Sequence, residues 1–202
     1  MAVSRRPMGF APASGFTMIE LMVAIVVAAI LLVVAIPSFE TTINSGRLSS
    51  AANEMMAGLQ AARMEAVRTN RHVVLCLSPT PNAAAPACNA AGATGWIVFR
   101  DADKNGNPTA ADVVRVGSFH QKVQMNASAA FGAKIAFRSD GLAYDGATGN
   151  TLLTNGAVAF CIPTRRPPEN IRYVNVSVGR ISITRAPGNG VCSTTVKDNN
   201  PP

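Results

Sequence analysis

Between Phe16 and Ile36 the chain runs through 21 residues in which Glu20 is the one charged side chain. Read as an α-helix, that run is about 30 Å long, one hydrocarbon thickness, so it is long enough to span a membrane. Past it, apolar residues fall at Leu48, Ala52, Met55, Leu59, Ala62 and Ala66, in steps of four and three, while Arg47, Asn53, Glu54, Glu65 and Arg68 lie elsewhere around the helix. That pattern predicts one stripe packed on another element. Pro37 falls inside the helix between the two parts. An interior proline removes a backbone hydrogen bond and costs about 3 kcal/mol, which predicts a kink there. Thr69-Asn70-Arg71 are poor helix formers, so a single bent helix is predicted from about Phe16 to Arg68.

After the helix the signals change to strands. His72 to Ser78 reads as a strand through its Val-Val-Leu-Cys-Leu run, and residues 95–100, 112–119, 123–129, 134–138, 157–162, 171–178 and 181–185 are rich in Val, Ile and Phe. Clusters of Asn, Gly and Pro separate them, which favours antiparallel sheets over βαβ units and an α+β class. Residues 79–94 read as a long surface loop, and Asp198 to Pro202 as a frayed tail.

Charge sets the direction of the span. Arg5 and Arg6 precede it and Glu40 follows, so residues 1–15 stay in the cytoplasm and the remainder is sent outward. A secretory signal is the first alternative, but its apolar region is shorter and carries no acid at its start. A plain, uncut membrane anchor is the second. About 165 residues remain beyond the span, enough for one domain with its own core. The whole chain carries a formal +7; setting aside Arg5 and Arg6 leaves 16 basic against 11 acidic residues, or +5. Such an excess suits anionic polymers or lipid head groups, and equally a solvated surface.

The four cysteines, Cys76, Cys88, Cys161 and Cys192, would reach an oxidising compartment, so two disulfides are expected. Of the three possible pairings, Cys76 with Cys88 and Cys161 with Cys192 each bracket a loop-rich stretch, and closing each loop stabilises by roughly 2–4 kcal/mol. Metal at these thiols is the rival reading. No C-x-x-C spacing is present, and His72 and His120 have no ligand-like neighbours.

A charge inside a bilayer span costs roughly 2.5–3.5 kcal/mol, so Glu20 needs a partner. A basic leader, Gly15, then Phe16-Thr17-Met18-Ile19-Glu20-Leu21 and an unbroken apolar helix resembles the class III leader of type IV pilins and type II secretion pseudopilins. The resemblance implies that a prepilin peptidase cuts between Gly15 and Phe16 and methylates the new amino terminus. Glu20 is then fifth in the mature chain and meets the Phe16 amino group of a neighbouring subunit. Pro37 falls where the family's filament helix loosens. The segments are thus a leader at 1–15, a transmembrane and assembly helix at 16–43, and a periplasmic domain at 44–202, with helix 44–68 followed by sheets over 72–185.

Within that domain, Gly95-Trp96-Ile97-Val98-Phe99, Asp101 to Asn107, Phe137-Arg138-Ser139-Asp140-Gly141 and Val178-Gly179-Arg180-Ile181 are similar to the GspH/FimT-type pilin domain. This second resemblance implies two packed antiparallel sheets on the C-terminal half of the long bent helix. It also implies a minor subunit, anchored by a single pass in the bacterial inner membrane before it enters a pilus or pseudopilus.

Two further motifs invite chemistry. Asp101, Asp103 and Asn105 with Gly106 and Asp112 imitate the spacing of an EF-hand calcium loop, but position twelve lacks its Glu and Pro108 interrupts the loop. An Asx-rich hairpin is the alternative reading, and no metal is assigned. The C-terminal region holds Arg165, Arg166, Arg172, Arg180, Arg185 and Lys197 against Glu169 and Asp198. FimT-type pilins that act in natural transformation are similar in carrying Gly-Arg-x-Arg near this point, whose arginines contact DNA. Gly179 and Arg180 match, Ser182 replaces the second arginine, and Arg185 has the opposite strand parity. Arg165 and Arg166 are candidates to compensate.

No zinc-binding His-Glu-x-x-His, phosphate-cradling Lys-Ser/Thr loop or Gly-x-Ser-x-Gly elbow occurs, so neither an enzyme nor a cofactor is expected. Three readings follow. The first is a FimT-like minor pilin that primes or caps a type IV pilus. The second is a DNA-binding minor pilin for DNA uptake, and the third a GspH-like pseudopilin in type II protein secretion. Other pilins or pseudopilins, the prepilin peptidase, the inner membrane and, in the second reading, DNA are the partners implied.

Overall fold

The structure, a computed structural model, describes residues 15–198 apart from the side chains of residues 34–37. Arg5, Arg6, residues 199–202 and the Pro37 side chain lie outside the described residues. The chain divides into two compact units, one ending at Phe39 and the other beginning at Glu40.

One helix, α1 (Met18–Thr69), passes through both units. Thr17 starts it: its side-chain oxygen accepts the Glu20 N–H at 3.3 Å and its carbonyl accepts the Leu21 N–H at 3.1 Å, which makes it an N-cap. At the other end Asn70 turns left-handed, with φ 52°, and the Arg71 N–H closes on the Ala66 carbonyl at 3.3 Å. Asn tolerates that backbone better than most residues, so the helix stops there.

Among the described residues of the second unit nine strands form two antiparallel sheets. The first holds β1 (Val73–Ser78), β2 (Gly95–Arg100), β3 (Val113–Ser118), β5 (Lys134–Phe137) and β6 (Ala143–Asp145), in the order β3-β2-β1-β5-β6. The second holds β4 (Gln124–Ala127), β7 (Gly156–Cys161), β8 (Ile171–Ser177) and β9 (Arg180–Ala186), in the order β4-β7-β8-β9. The fold is α+β, with the C-terminal part of the long helix, from Leu48 to Ala66, packed on two antiparallel sheets. Strand β6 is absent from the sequence reading. It has only three residues, and it pairs with β5 through Ile135–Asp145 and Phe137–Ala143.

Leu48, Ala52, Met55, Leu59, Ala62 and Ala66 have no solvent exposure, so the stripe of α1 is the helix side of the core. It packs with inward side chains of both sheets, among them Leu75, Trp96, Val98, Phe137, Phe160 and Val174.

β1 and β7 are buried along their whole length, not on alternate residues. Their outer faces are covered by loops rather than by another layer. The outer cluster of the first sheet is Val74, Cys76, Ile97, Phe99 and Ala136, joined by Cys88 from the 79–94 loop. That of the second sheet is Ala157, Ala159, Cys161 and Ile171, joined by Cys192 and Val196 from the C-terminal segment. The disulfides Cys76–Cys88 and Cys161–Cys192 therefore sit on outward-facing strand positions and each fastens a strap across one sheet. The second strap reaches further than the sequence reading allows. Asp198 does not fray, because its carboxylate accepts the Ala130 N–H at 2.8 Å.

Candidate functional site

The assembly end is built from few residues. Gly15, Phe16 and Thr17 are non-helical and exposed, Phe16 at 78%, and an added β-carbon at Gly15 would meet nothing within 4 Å. Both residues of the bond expected to be cut are exposed. Glu20 follows in the first turn of α1, the one acid there, with its side chain exposed. Thr17 and Glu20 have the Thr-x-x-Glu spacing of a capping box, of which the Thr17 half is formed by its hydroxyl oxygen accepting the Glu20 N–H, a signal legible in the sequence. The apolar residues after Glu20 are also exposed, and the helix is long and apolar enough to cross a membrane.

The loop after β2 uses its oxygen atoms locally. Asp101, 3% exposed, accepts the Gly106 N–H at 3.0 Å and lies 3.5 Å from Nδ1 of His72. Asp103 accepts the Asn105 N–H at 3.4 Å, Asn105 accepts the Asn107 N–H at 2.7 Å, and Asp112 accepts the Thr109 hydroxyl. The Gly106 carbonyl is taken by the Lys134 ammonium at 2.8 Å, a cation already in place. Among the described residues no three of His, Cys, Asp and Glu gather around a common point. Asp101, Asp103, Asn105 and Asp112 thus bond within their own turn, and Gly106 at φ 69° supplies its bend.

The candidate DNA-contacting arginines do not form one surface. Gly179 and Arg180 make the β8–β9 hairpin, where Arg180 pairs with Ser177. The Gly179 carbonyl accepts Nη1 of Arg63 at 2.7 Å, which brings a helix arginine beneath the hairpin. Arg63 escaped the sequence reading, since 116 positions separate it from Gly179 and no local pattern links them. Arg165 and Arg166 lie in the β7–β8 loop at the opposite end of β8, about 20 Å away along seven strand residues. They do not replace the missing second arginine beside Arg180. Arg166 instead meets Glu40 at 3.7 Å, and its carbonyl accepts the Asn44 amide at 3.0 Å.

Arg185 shares the face of Ile181 and Ile183, which pack on the core, whereas Arg180 shares the other face with Ser182 and Thr184. Arg172 is 2% exposed and donates to backbone carbonyls at the bottom of a groove, too recessed for the backbone of a nucleic acid strand. It lies on the inward face of β8, beside Val174 and Val176.

Comparison with known proteins gives a family. Residues 51–181 match the family described as type II transport protein GspH, and residues 11–36 match the prokaryotic N-terminal methylation motif. Among solved structures, the type IV minor pilin FimU of Pseudomonas aeruginosa strain PAO1 is similar in two crystal forms. The first is 21% identical with TM-score 0.48 and covers 69% of this chain and 90% of that one. The second is 22% identical with TM-score 0.46 and covers 68% and 92%. No curated protein matches the chain. With the family model spanning most of the domain and the methylation motif spanning its apolar helix, the chain belongs to the GspH family, as a minor pilin or pseudopilin.

Proposed function

We propose that the protein is a minor pilin of a type IV pilus system, which joins other pilins through its N-terminal helix and primes or caps the filament. Glu20 carries the reading: it is a lone carboxylate in the first turn of an exposed apolar helix, just after the exposed pair Gly15-Phe16. Cleavage by a prepilin peptidase frees an amine at Phe16, to be methylated. In a low-dielectric filament core the amine of one subunit and the Glu20 carboxylate of its neighbour neutralise each other. Before assembly the apolar helix, loosened at Pro37, holds the subunit in the bacterial inner membrane by a single pass. The domain that follows then sits in the periplasm. The role is structural.

A pseudopilin of type II secretion is the second reading, supported by the family's description as a type II transport protein. DNA uptake has thinner support, from Arg180 with the half-buried Arg63 beside it.

Mass spectrometry of protein from native membranes tests the common core. A chain starting at methylated Phe16 is expected, and an intact Met1 terminus overturns it. Glu20→Ala should leave processing unchanged and remove the subunit from sheared filaments. A deletion strain that loses twitching while secretion continues selects the pilus, and the reverse selects the secretion system. Salt-sensitive gel shifts abolished by Arg180→Ala would select DNA uptake.

A further inference from the structure

At the seam between α1 and β9 a groove of about 280 Å³ is lined by Ser49, Ala52 and Asn53 of the helix and by Arg172, Ile183 and Arg185 of the sheet. Arg172 and Arg185 are register partners on β8 and β9, so two guanidinium-bearing side chains stand opposite each other on one face. Like charges directly opposite in a sheet repel.

Arg172 is 2% exposed. Its Nη1 donates to the carbonyls of Glu169 at 2.7 Å and Ile171 at 3.1 Å, and its Nη2 faces the Ser45 hydroxyl at 3.4 Å. Among the described residues its buried Nε has no acceptor. Among the described residues neither arginine takes part in an ion pair. Burial first, and the Arg185 charge second, press the Arg172 guanidinium below its ordinary pKa, while the Glu169 carboxylate opposes them from beyond ion-pair range. Arginine does not escape this by losing its proton, because its pKa is far above neutrality. A buried cation so placed calls for an anion from outside the chain.

We propose that this groove binds a small inorganic oxyanion, phosphate or a close relative, between the guanidinium groups of Arg172 and Arg185. Ser49 and Asn53 supply further hydrogen-bonding groups at the rim. A tetrahedral anion presents oxygens in several directions and serves two guanidinium groups at once, whereas one carboxylate is matched by the fork of a single arginine. The groove also has room, since its volume is several times the roughly 30 Å³ that a water molecule occupies in the liquid.

The full chain in detergent provides the test, with the single, buried Trp96 as fluorescent reporter of thermal unfolding. Inorganic phosphate is titrated against sodium chloride at matched pH and ionic strength, with glutarate as a carboxylate control. The expected result is a saturable rise in Tm with phosphate that is lost in Arg185→Gln. Arg185 is exposed, so this variant keeps the fold, and in chloride it should melt no lower than the wild type because a repulsion is gone. Phosphate acting no better than chloride overturns the proposal, as does a full phosphate response in Arg185→Gln. A response to glutarate with none to phosphate also overturns it and assigns the groove to an acidic side chain of another protein.

Discussion

Trp96 occupies the space that a β-carbon at Gly58 would need, since such an atom would stand 2.8 Å from Cε2 of the indole. Gly117 of β3 presses on the same ring, and Arg115 lies 5.8 Å from its centroid. A glycine in mid-helix costs about 1 kcal/mol relative to alanine. Here the missing side chain lets α1 lie flat on the largest side chain of the core.

Gly58→Ala should therefore destabilise the domain despite its better helix propensity. Overpacking costs about 1–3 kcal/mol against a propensity gain of about 1, for a net loss of up to about 2 kcal/mol. Gly46, also in α1, has nothing within 4 Å of its hypothetical β-carbon, so Gly46→Ala should gain up to about 1 kcal/mol. Urea unfolding followed by Trp96 fluorescence reads both, and equal signs for the two variants would refute the packing argument.

Glu65 ties the end of α1 to β2. Its carboxylate accepts Nε of Arg100 at 2.8 Å and Nη2 of Arg68 at 2.7 Å. Those two arginines, Arg68 first, hold its pKa below the usual 4.5. A folded pKa below the unfolded one adds stability that is complete above about pH 4.5 and disappears as pH falls through the folded value. Glu65→Gln should cost about 1–2 kcal/mol at pH 7, with the gap to wild type closing in acid, as charge-assisted hydrogen bonds of this kind imply. A gap that stays constant down to pH 2 would contradict the assignment.

His72 is packed under Gly149, with Nδ1 3.5 Å from Asp101 and both ring nitrogens buried and without a hydrogen-bond partner among the described residues. Burial lowers its pKa below 6.5; Asp101 opposes this, and Lys104 and Arg138 reinforce it. The folded state thus prefers neutral His72, so this contribution is fully present above pH 6.5 and shrinks as pH drops below 6.5 toward the folded value. His72→Gln should flatten the stability loss between pH 6.5 and 5, a range above the titration of ordinary carboxylates. An unchanged slope would assign that loss elsewhere.

The Cys161–Cys192 strap makes a separate prediction. Replacing both cysteines by serine releases a crosslink across 31 residues and should cost about 3–4 kcal/mol. Limited proteolysis should then cut within residues 187–198, where Val196 otherwise covers Ala157 and Ala159. Resistance equal to wild type would show that side-chain packing alone holds the segment.

Much of this was legible in the residues. The helix stripe at Leu48, Ala52, Met55, Leu59, Ala62 and Ala66 was readable because a 3.6-residue period imposes one buried face. Asn70 ended the helix through its own backbone preference. The strands apart from β6 were readable from branched and aromatic runs, with their ends displaced by a residue or two. β6 is too short to show a period, and it exists because β5 offers an edge to pair with.

The sequence by itself settled what depends on neighbours along the chain: an apolar span with one acid after a Gly-Phe bond, a helix followed by strands, and cysteines bracketing loops. Only the tertiary structure decided what depends on residues far apart in number. It put Arg63 beneath the Gly179 hairpin, buried Arg172 opposite Arg185 and set Arg165 and Arg166 at the other end of the sheet from Arg180. It also laid the two straps over strands that would otherwise be buried on one face. The reason is physical: backbone periodicity is local, whereas the environment of a charge is fixed by which strands pair and by what the helix covers.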